Sequence, residues 1–251
     1  MKERILLMGG PGTGKSHQLI KVCEFLKEKS AKIYCIDCED KLEATLLGMG
    51  YRVETEGTHL FVPELNIHLY IANFWEELKE TQKEIDEKAN PNEWIMVDRI
   101  DLTWPSVQRY YTRRKYQETL AERLIHQAEK IKKPAMFIPR FDQGDWQPVN
   151  EEYDTFILGI LYKQRCNVLL TAGIRASDST PYDIFGNIGV VPRGQKELPH
   201  QPHSTFLLFQ TKKGRDISWY ITTAKDLPNR PYFDDEELLD FSLQYLGGII
   251  G

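Results

Sequence analysis

One stretch near the start of the chain decides the fold: Gly9-Gly10-Pro11-Gly12-Thr13-Gly14-Lys15-Ser16. It follows an apolar run, residues 5–8, that is typical of a buried strand, and it precedes a segment with apolar residues at helical spacing. In the spacing Gly-x-x-x-x-Gly-Lys-Ser, the glycines let the backbone curl around an anion and aim successive N–H groups at it. The next helix points its positive end at the same place. The sequence therefore predicts a P-loop, a phosphate cradle between a strand and a helix.

The residues of this cradle have separate predicted roles. Lys15 is expected to reach the β- and γ-phosphates of a nucleotide, and the Ser16 hydroxyl is expected to bind Mg²⁺. The predicted nucleotide-binding residues are Gly9, Gly10, Pro11, Gly12, Thr13, Gly14, Lys15, Ser16 and His17.

Length and composition limit what surrounds the cradle. The chain has 251 residues, 41% of them hydrophobic, which is enough for one large domain or two small ones. Its 32 Lys and Arg residues against 37 Asp and Glu residues give a net charge of -5, so any nucleic-acid surface has to be local. The sequence contains neither a run of 18 apolar residues nor a signal-peptide core. We expect a cytoplasmic protein without a membrane partner.

The cysteines and histidines give no clear metal or redox signal in the sequence. Cys35 and Cys38 form a C-x-x-C pattern, but residues three apart on a strand point to opposite faces. All four cysteines lie among apolar neighbours, as reduced thiols do in a cytosol. The six histidines are scattered, and even His200 and His203 are typical of loop residues.

The second predicted strand, residues 32–37, ends in a group of acids. Its β-branched and aromatic residues favour a strand, and Cys38-Glu39-Asp40 follows. Ligands of open α/β sheets bind at the carboxyl ends of the strands. Glu39 or Asp37 is therefore placed to face a γ-phosphate and polarise an attacking water. The same acids are equally suited to cap the helix that starts near Leu42.

A later apolar strand also closes in an acid. Residues 93–98, Glu-Trp-Ile-Met-Val-Asp, follow a third strand over 66–74 and a charged helix over 75–89. Downstream of a P-loop this is the Walker B arrangement, in which Asp98 holds Mg²⁺ through water. A fifth buried strand over 167–172 places Thr171 where it is expected to sense the γ-phosphate.

The remaining chain contains helices, polar stretches and a hairpin. Residues 102–133 have a helical pattern and carry a basic and aromatic cluster, namely Arg109, Tyr110, Tyr111, Arg113, Arg114 and Lys115. That cluster could stack bases and neutralise phosphates, or it could be a solvated face or a subunit contact. The other predicted segments are an irregular loop over 134–150, a helix over 153–164, a long polar stretch over 173–203, a hairpin over 206–211 and 218–223 with a basic turn, and a helix over 235–246.

The order of these parts resembles the RecA-type ATPase core. It is most similar to the compact versions of bacteriophages and archaeal viruses, including the Sak4-like group of single-strand-annealing ATPases. The resemblance covers residues 3–233. It rests on the P-loop, on the Ile36-Asp37-Cys38-Glu39 strand end and on the order of the other elements. It implies a single α/β domain over residues 1–251, with a mainly parallel central sheet flanked by helices and a C-terminal antiparallel hairpin.

The resemblance also implies roles for individual residues. Glu39 matches the catalytic glutamate that activates water, Lys15 and Ser16 match the phosphate and Mg²⁺ residues, and Asp98 matches the Walker B acid. Lys225, and less closely Arg230, match cationic fingers that reach the nucleotide of a neighbouring subunit. Residues 139–150 and 175–203 occupy the places of the two DNA-binding loops. Thr171 departs from the pattern, because relatives often have glutamine there.

The function that follows is an expectation with two alternatives. We expect ATP and Mg²⁺ as cofactors, hydrolysis of ATP, and action on DNA, single-stranded rather than double-stranded, by a homo-oligomeric ring or filament in viral recombination or annealing. The first alternative is a viral DNA-packaging motor. The second is a nucleotide-dependent assembly or regulatory factor that does not bind DNA.

Overall fold

A computed structural model describes the chain except residues 1, 133, 135–140, 164, 178–184, 186, 187, 215, 228, 229 and 251, and it describes the backbone alone at residue 163. The strands are β1 (Arg4–Gly9), β2 (Ile33–Asp37), β3 (Glu54–Glu56), β4 (His59–Val62), β5 (Ile67–Ile71), β6 (Trp94–Asp98), β7 (Asn167–Ala172), β8 (Ile174–Ala176), β9 (Val190–Pro192), β10 (Ser204–Lys213), β11 (Asp216–Lys225) and β12 (Glu236–Glu237). The α-helices are α1 (Lys15–Lys27), α2 (Leu42–Gly48), α3 (Trp75–Lys88), α4 (Thr103–Tyr116), α5 (Leu120–Ile131), α6 (Trp146–Leu158) and α7 (Gly247–Ile250).

Ten strands form one sheet in the order β12-β11-β10-β1-β7-β6-β2-β5-β4-β3. The six central strands, from β10 to β5, are parallel, and antiparallel strands extend the sheet at both edges. Strand β7 lies between the P-loop strand β1 and the acid-terminated strand β6. The fold is therefore α/β with a mainly parallel sheet, as the sequence predicts, and β10 and β11 form the predicted hairpin.

Alternating side chains of the central strands pack on opposite faces of the sheet. Ile5 and Leu7 of β1 join a core with α1 and the C-terminal helical segment, whereas Leu6 joins a core with α3, α4 and α6. Both faces are apolar because helices cover a parallel sheet on both sides. Cys35 and Cys38 lie in these two different cores, as their spacing predicts.

The parallel arrangement brings the ends of the functional strands together. Asp37, the last residue of β2, is in register with Asp98, the last residue of β6. Met8 of β1 pairs with Ala172 of β7, so these strands end at the same edge of the sheet. Side chains that follow all four strands can therefore converge on one place.

The prediction of an irregular loop over 134–150 is wrong for residues 143–150, which are helical. After a short 3₁₀ turn, α6 begins at Trp146 rather than near Tyr153. Pro148 does not prevent this because it lies in the first turn of α6, where backbone N–H groups have no partner within the helix. Phe141 and Val149 are buried in the core, which holds this segment against α4. Residues 135–140, which include the first two residues of the predicted DNA loop over 139–150, lie outside the described part.

Two other segments differ from the prediction. The helix expected over 235–246 is replaced by strand β12 and a helical segment over 242–250, because Leu238 donates its N–H to Trp219 and continues the sheet. Strands β3 and β4, which the sequence did not indicate, form a meander with β5. Each helix in the described part of the chain is too short or too polar to cross a bilayer.

Candidate nucleotide-binding site

The P-loop connects β1 to α1 at the carboxyl edge of the sheet. Gly14 precedes the first helical residue with a φ of 85°, a left-handed conformation that glycine adopts without strain. A side chain at Gly9 would place its Cβ 2.5 Å from the carbonyl oxygen of Leu208 on β10. These two positions require glycine for different reasons, one for backbone conformation and one for close packing.

Lys15 is buried and points back across the loop. Its Nζ donates hydrogen bonds to the carbonyl oxygens of Gly9, at 2.9 Å, and Gly10, at 2.7 Å. Burial, together with the nearby Arg99 guanidinium, lowers the pKa of Lys15. The ammonium group therefore lies inside the curl of the loop, where a bound phosphate would meet it.

Ser16 and Asp98 meet beneath the P-loop. The Ser16 hydroxyl donates a hydrogen bond to Asp98 Oδ2 at 2.8 Å, and the Thr171 hydroxyl donates to Asp98 Oδ1. Burial raises the pKa of Asp98, although these two hydrogen bonds act in the opposite direction. The two predicted Mg²⁺ residues are therefore adjacent. Thr171 is fully buried and supports Asp98, so it does not face the cleft as a γ-phosphate sensor would.

The structure assigns different surroundings to the two candidate acids at the end of β2. Asp37 is fully buried, and its carboxylate accepts four backbone N–H groups at 2.7–3.0 Å, from residues 39–41 of the preceding turn and from Leu42, the first residue of α2. Asp37 thus has a structural role, because it holds the turn that leads into α2. Glu39 is partly exposed and its side chain borders an open cleft. Of the two acids, Glu39 is the one that can face a nucleotide.

Arg99 is a residue of the cleft that sequence reasoning missed. It follows Asp98 with a φ of 66°, and its backbone N–H donates to the Thr171 hydroxyl at 2.9 Å. The guanidinium makes a two-pronged contact with Asp101, at 2.9 and 3.0 Å, and a third hydrogen bond to Glu39 at 3.1 Å. These contacts raise its pKa. The sequence feature that could have identified Arg99 is its position directly after Asp98, the predicted Walker B acid.

These groups surround a cleft of about 530 Å³ at the carboxyl edge of the sheet. The predicted residues that line it are Gly9, Pro11, Gly12, Gly14, Lys15, Ser16, His17 and Glu39. The lining residues that were not assigned to the nucleotide site are Lys41, Arg99, Gly173, Ile174 and Arg193. The cleft therefore combines a P-loop, a partly exposed carboxylate and three further cations.

A second, more apolar pocket of about 420 Å³ adjoins the other side of the P-loop. Its lining residues are Gly12, Thr13, Gly14, His17, Gln18, Trp219, Leu238 and Leu239. The indole N–H of Trp219 donates to the carbonyl oxygen of Gly12 at 3.2 Å, which joins β11 to the P-loop. An apolar pocket beside a phosphate cradle has the character of a base-binding site.

The two predicted cationic fingers lie away from the cleft lining and contact their own chain. Lys225 donates to the carbonyl oxygens of His200, at 2.9 Å, and Pro202, at 2.6 Å. Arg230 forms an ion pair with Glu3 at 2.5 Å. Their action on a neighbouring subunit stays a prediction, and it requires both side chains to leave these partners.

The segment over 175–203 has more order than a long polar loop. Strands β8 and β9 form a two-stranded sheet beside the cleft, and Arg193 N–H donates to the carbonyl oxygen of Gly173 at 2.8 Å. Phe185 is buried against Met8 and Val191. Residues 178–184, 186 and 187 of this predicted DNA loop lie outside the described part.

Two solved structures align with most of the chain. A RadB recombinase shares 12% identity with a TM-score of 0.49, over 95% of this chain and 85% of that one. A KaiC-like protein from the hyperthermophilic archaeon Pyrococcus horikoshii OT3 shares 14% identity with a TM-score of 0.46, over 93% and 82% of the two chains. No protein-family model matches the sequence, and neither does any curated protein.

At this level of identity and structural similarity, no activity or partner of this chain follows from either structure. The predicted α/β fold class with a mainly parallel central sheet is confirmed by the strand order, and the P-loop joins β1 to α1 as predicted, whereas the RecA-like core stays a prediction. The narrower viral Sak4-like group stays a prediction.

Proposed function

We propose that this chain is a Mg²⁺-dependent ATPase whose active site is the cleft at the P-loop. The observation that carries the proposal is the arrangement of Lys15 and the Ser16–Asp98 pair beside a carboxylate, Glu39, that borders the same cleft. A phosphate cradle alone supports binding, whereas a separately placed carboxylate also supports hydrolysis.

The residues present fit a Mg²⁺ ion. Ser16 and Asp98 offer a hydroxyl and a carboxylate oxygen 2.8 Å apart, and oxygen is the ligand that Mg²⁺ prefers. Mg²⁺ bound there would neutralise negative charge on the phosphate oxygens. Asp98 is held in place by Thr171, which fixes the carboxylate at the end of β6.

Glu39 acts as the general base in this proposal. Its carboxylate accepts a proton from water while the water oxygen bonds to the γ-phosphorus, and the bond from that phosphorus to the β–γ bridging oxygen breaks to release ADP and phosphate. Arg99 and Lys41 hydrogen-bond to Glu39, at 3.1 and 2.9 Å, and both border the cleft. A γ-phosphate competes with Glu39 for these cations, and this competition frees the carboxylate to accept the proton.

The apolar pocket at Trp219 provides a place for the nucleotide base. It shares Gly12, Gly14 and His17 with the phosphate cleft, so one ligand can occupy both. Trp219 is 40% exposed, which leaves it accessible for stacking.

We further propose that the ATPase acts on DNA, single strands in preference to duplex, as a homo-oligomer of the viral recombination or annealing type. The β10–β11 hairpin supports this proposal. Its tip carries the exposed residues Lys212 and Lys213, and Trp219, which pairs with Gln210 near that tip, contacts the P-loop. The hairpin thus offers a direct connection between a basic surface and the nucleotide.

The test is ATP turnover without DNA, with single-stranded DNA and with duplex DNA, each at two salt concentrations. Single strands should stimulate turnover most, and the stimulation should weaken at high salt because phosphate contacts release counterions. Stimulation by duplex alone would favour a packaging motor. Indifference to both would favour an assembly factor that binds protein.

A pair of double variants tests the role of the hairpin. Lys212→Ala with Lys213→Ala should weaken DNA stimulation and reduce the salt dependence of DNA binding, while turnover without DNA is unchanged. The matched control is Lys27→Ala with Lys130→Ala, which removes two exposed lysines at the ends of α1 and α5. Equal effects of the two double variants would contradict a specific role of the hairpin.

Mixed oligomers test the predicted fingers. If Lys225 acts on the neighbouring subunit, Lys225→Ala mixed with Glu39→Gln should recover part of the ATPase activity at mixed interfaces, whereas each variant alone is inactive. Arg230→Ala is tested in the same way. No recovery at any ratio would assign both cations to the contacts within their own chain.

A further inference from the structure

A cluster of two histidines and a glutamate lies at the edge of the sheet formed by β3, β4 and β5. His59 Nε2 is 2.8 Å from His68 Nδ1, and Glu56 Oε2 is 3.5 Å from His59 Nε2 and 3.7 Å from His68 Nδ1. Strand pairing brings these residues together, since Glu56 is opposite His59 and His68 is opposite Phe61. Three potential metal-donor atoms therefore converge from three neighbouring strands.

The separations are close to those of a tetrahedral zinc site. With metal–ligand bonds of about 2.0–2.2 Å, two ligand atoms of a tetrahedron are about 3.3–3.6 Å apart. The two distances from Glu56, 3.5 and 3.7 Å, agree with this within a few tenths of an ångström. The distance between the imidazoles, 2.8 Å, has to increase by about 0.5 Å, a small rotation of one ring.

The state of the second ring nitrogen of His59, Nδ1, is a separate observation that points to a bound metal ion. His59 is 8% exposed, and its Nδ1 is buried without a hydrogen-bond partner. That nitrogen lies 3.9 Å from Glu84 Oε1 on α3. Tyr70 and Lys88 hold Glu84 through hydrogen bonds of 3.1 and 2.6 Å. A histidine that binds metal through one nitrogen commonly directs the other to such a carboxylate, which orients the ring.

Aromatic neighbours hold both imidazole rings in place. His59 stacks on Tyr70 at a centroid distance of 4.7 Å, and His68 lies between Phe61, at 4.9 Å, and Tyr34, at 5.6 Å. Rings fixed by packing lose little further freedom when they bind an ion. Glu56, by contrast, is exposed, so solvent can reach the cluster from one side.

We propose that Glu56, His59 and His68 bind one Zn²⁺ ion, with water as the fourth ligand, and that the ion fastens the β3–β4–β5 meander. Two imidazoles and one carboxylate suit zinc, whereas Mg²⁺ prefers an octahedral set of oxygen ligands. The site involves none of the residues that line the P-loop cleft. It therefore stands independently of the ATPase proposal.

The experiment is a titration of chelator-treated, desalted full-length protein with Zn²⁺ alone, in competition with a chromophoric chelator. The expected stoichiometry is one zinc per chain. His68→Gln should weaken zinc binding at least tenfold, because it removes a ligand. His126→Gln is the matched control, since His126 is an exposed histidine on α5. Lys15→Ala should bind zinc as the wild type does.

Glu56→Gln keeps the proposal falsifiable if a histidine variant does not fold. Glu56 is exposed, so its substitution preserves the core while removing the charged ligand. This variant should also bind zinc at least tenfold more weakly, and zinc should raise the melting temperature of the wild type more than that of the variant. Folded wild-type protein that binds no stoichiometric zinc would overturn the proposal. Equal zinc affinities of the wild type and Glu56→Gln would overturn it as well.

Discussion

The nucleotide cleft and the junction between α4 and α6 both contain carboxylates with cationic partners, but the surroundings differ. At the junction, Asp145 is 1% exposed and accepts hydrogen bonds from Tyr111, Lys115 and Tyr116, all on α4. In the cleft, the Glu39 side chain is 28% exposed and its cationic partners border open space. We call the contact of Asp145 with its three partners the Asp145 anchor.

The difference separates a structural charge from one available to a ligand. All three side-chain donors to Asp145 come from α4, and the backbone N–H of Asp142 adds a fourth hydrogen bond at 3.2 Å. Burial alone would raise the pKa of Asp145, but the hydrogen bonds from Lys115, Tyr116 and Tyr111 outweigh it and lower the pKa to about 2. Arg99 and Lys41, by contrast, can exchange Glu39 for a phosphate without unpacking a helix.

The basic and aromatic cluster on α4 is therefore divided. Lys115 and Tyr111 belong to the Asp145 anchor, and Arg114 lies over the Tyr110 ring at 5.6 Å. Arg109 and Arg113 line a shallow surface pocket with residues of α5. The sequence left open a DNA-binding surface, a solvated face or a subunit contact, and the packing gives the anchored members a structural role within the chain instead.

The largest expected effect is that of Lys15→Ala on the cleft. The variant should bind ATP about 100-fold more weakly, because a charge-assisted contact with phosphate is worth about 3 kcal/mol. Its melting temperature should change little. Lys21→Ala, on the same helix and paired with Glu24 at the surface, is the control. Calorimetric titration measures the affinities, and tight ATP binding by Lys15→Ala would contradict the P-loop assignment.

Asp145→Asn should give the opposite pattern, with lower stability and unchanged ATP affinity. Loss of the anchor's charge should reduce the free energy of unfolding by about 2 kcal/mol, measured by urea denaturation. Because the folded pKa of about 2 lies below the ordinary value of 3.8, this contribution is present above that value and is lost as the pH falls towards 2. The variant should therefore show a weaker loss of stability on acidification.

Asp142→Asn is the control for the anchor. Its side chain is 75% exposed and lies three residues before Asp145, so its substitution should change stability by much less. Weaker ATP binding by Asp145→Asn would show that the anchor and the cleft are coupled, and the contrast between the two regions would fail.

Trp219→Ala should have the smallest of these effects. The variant should bind ATP about threefold to tenfold more weakly, since an aromatic stacking contact contributes about 0.5–1.5 kcal/mol. Ile217→Ala is the control, because Ile217 is a similarly exposed residue on the same strand. An equal loss of affinity for inorganic triphosphate would place the effect in the phosphate cleft and not in the base pocket.

Features built from residues close together in the sequence could be predicted, whereas contacts between residues far apart along the chain could not. The P-loop is contiguous, so its spacing alone specified the turn and the helix that follows. The residue pattern alone could not separate the roles of Asp37 and Glu39, because these roles depend on where the backbone N–H groups of the turn before α2 point; the resemblance assigned water activation to Glu39. His59 and His68 looked scattered because their proximity depends on the pairing of β4 with β5. Lys225 was expected at a subunit interface, and its contacts with loop carbonyls could not be anticipated.

The most direct measurement of the central claim is phosphate release by Glu39→Gln alongside its ATP affinity. With Mg²⁺ present, the variant should bind ATP as the wild type does. It should release phosphate at least about 100-fold more slowly, because it lacks the general base. Asp40→Asn removes the neighbouring exposed carboxylate at a left-handed position that asparagine tolerates, and it should retain activity. Phosphate release by Glu39→Gln at the wild-type rate would contradict the account.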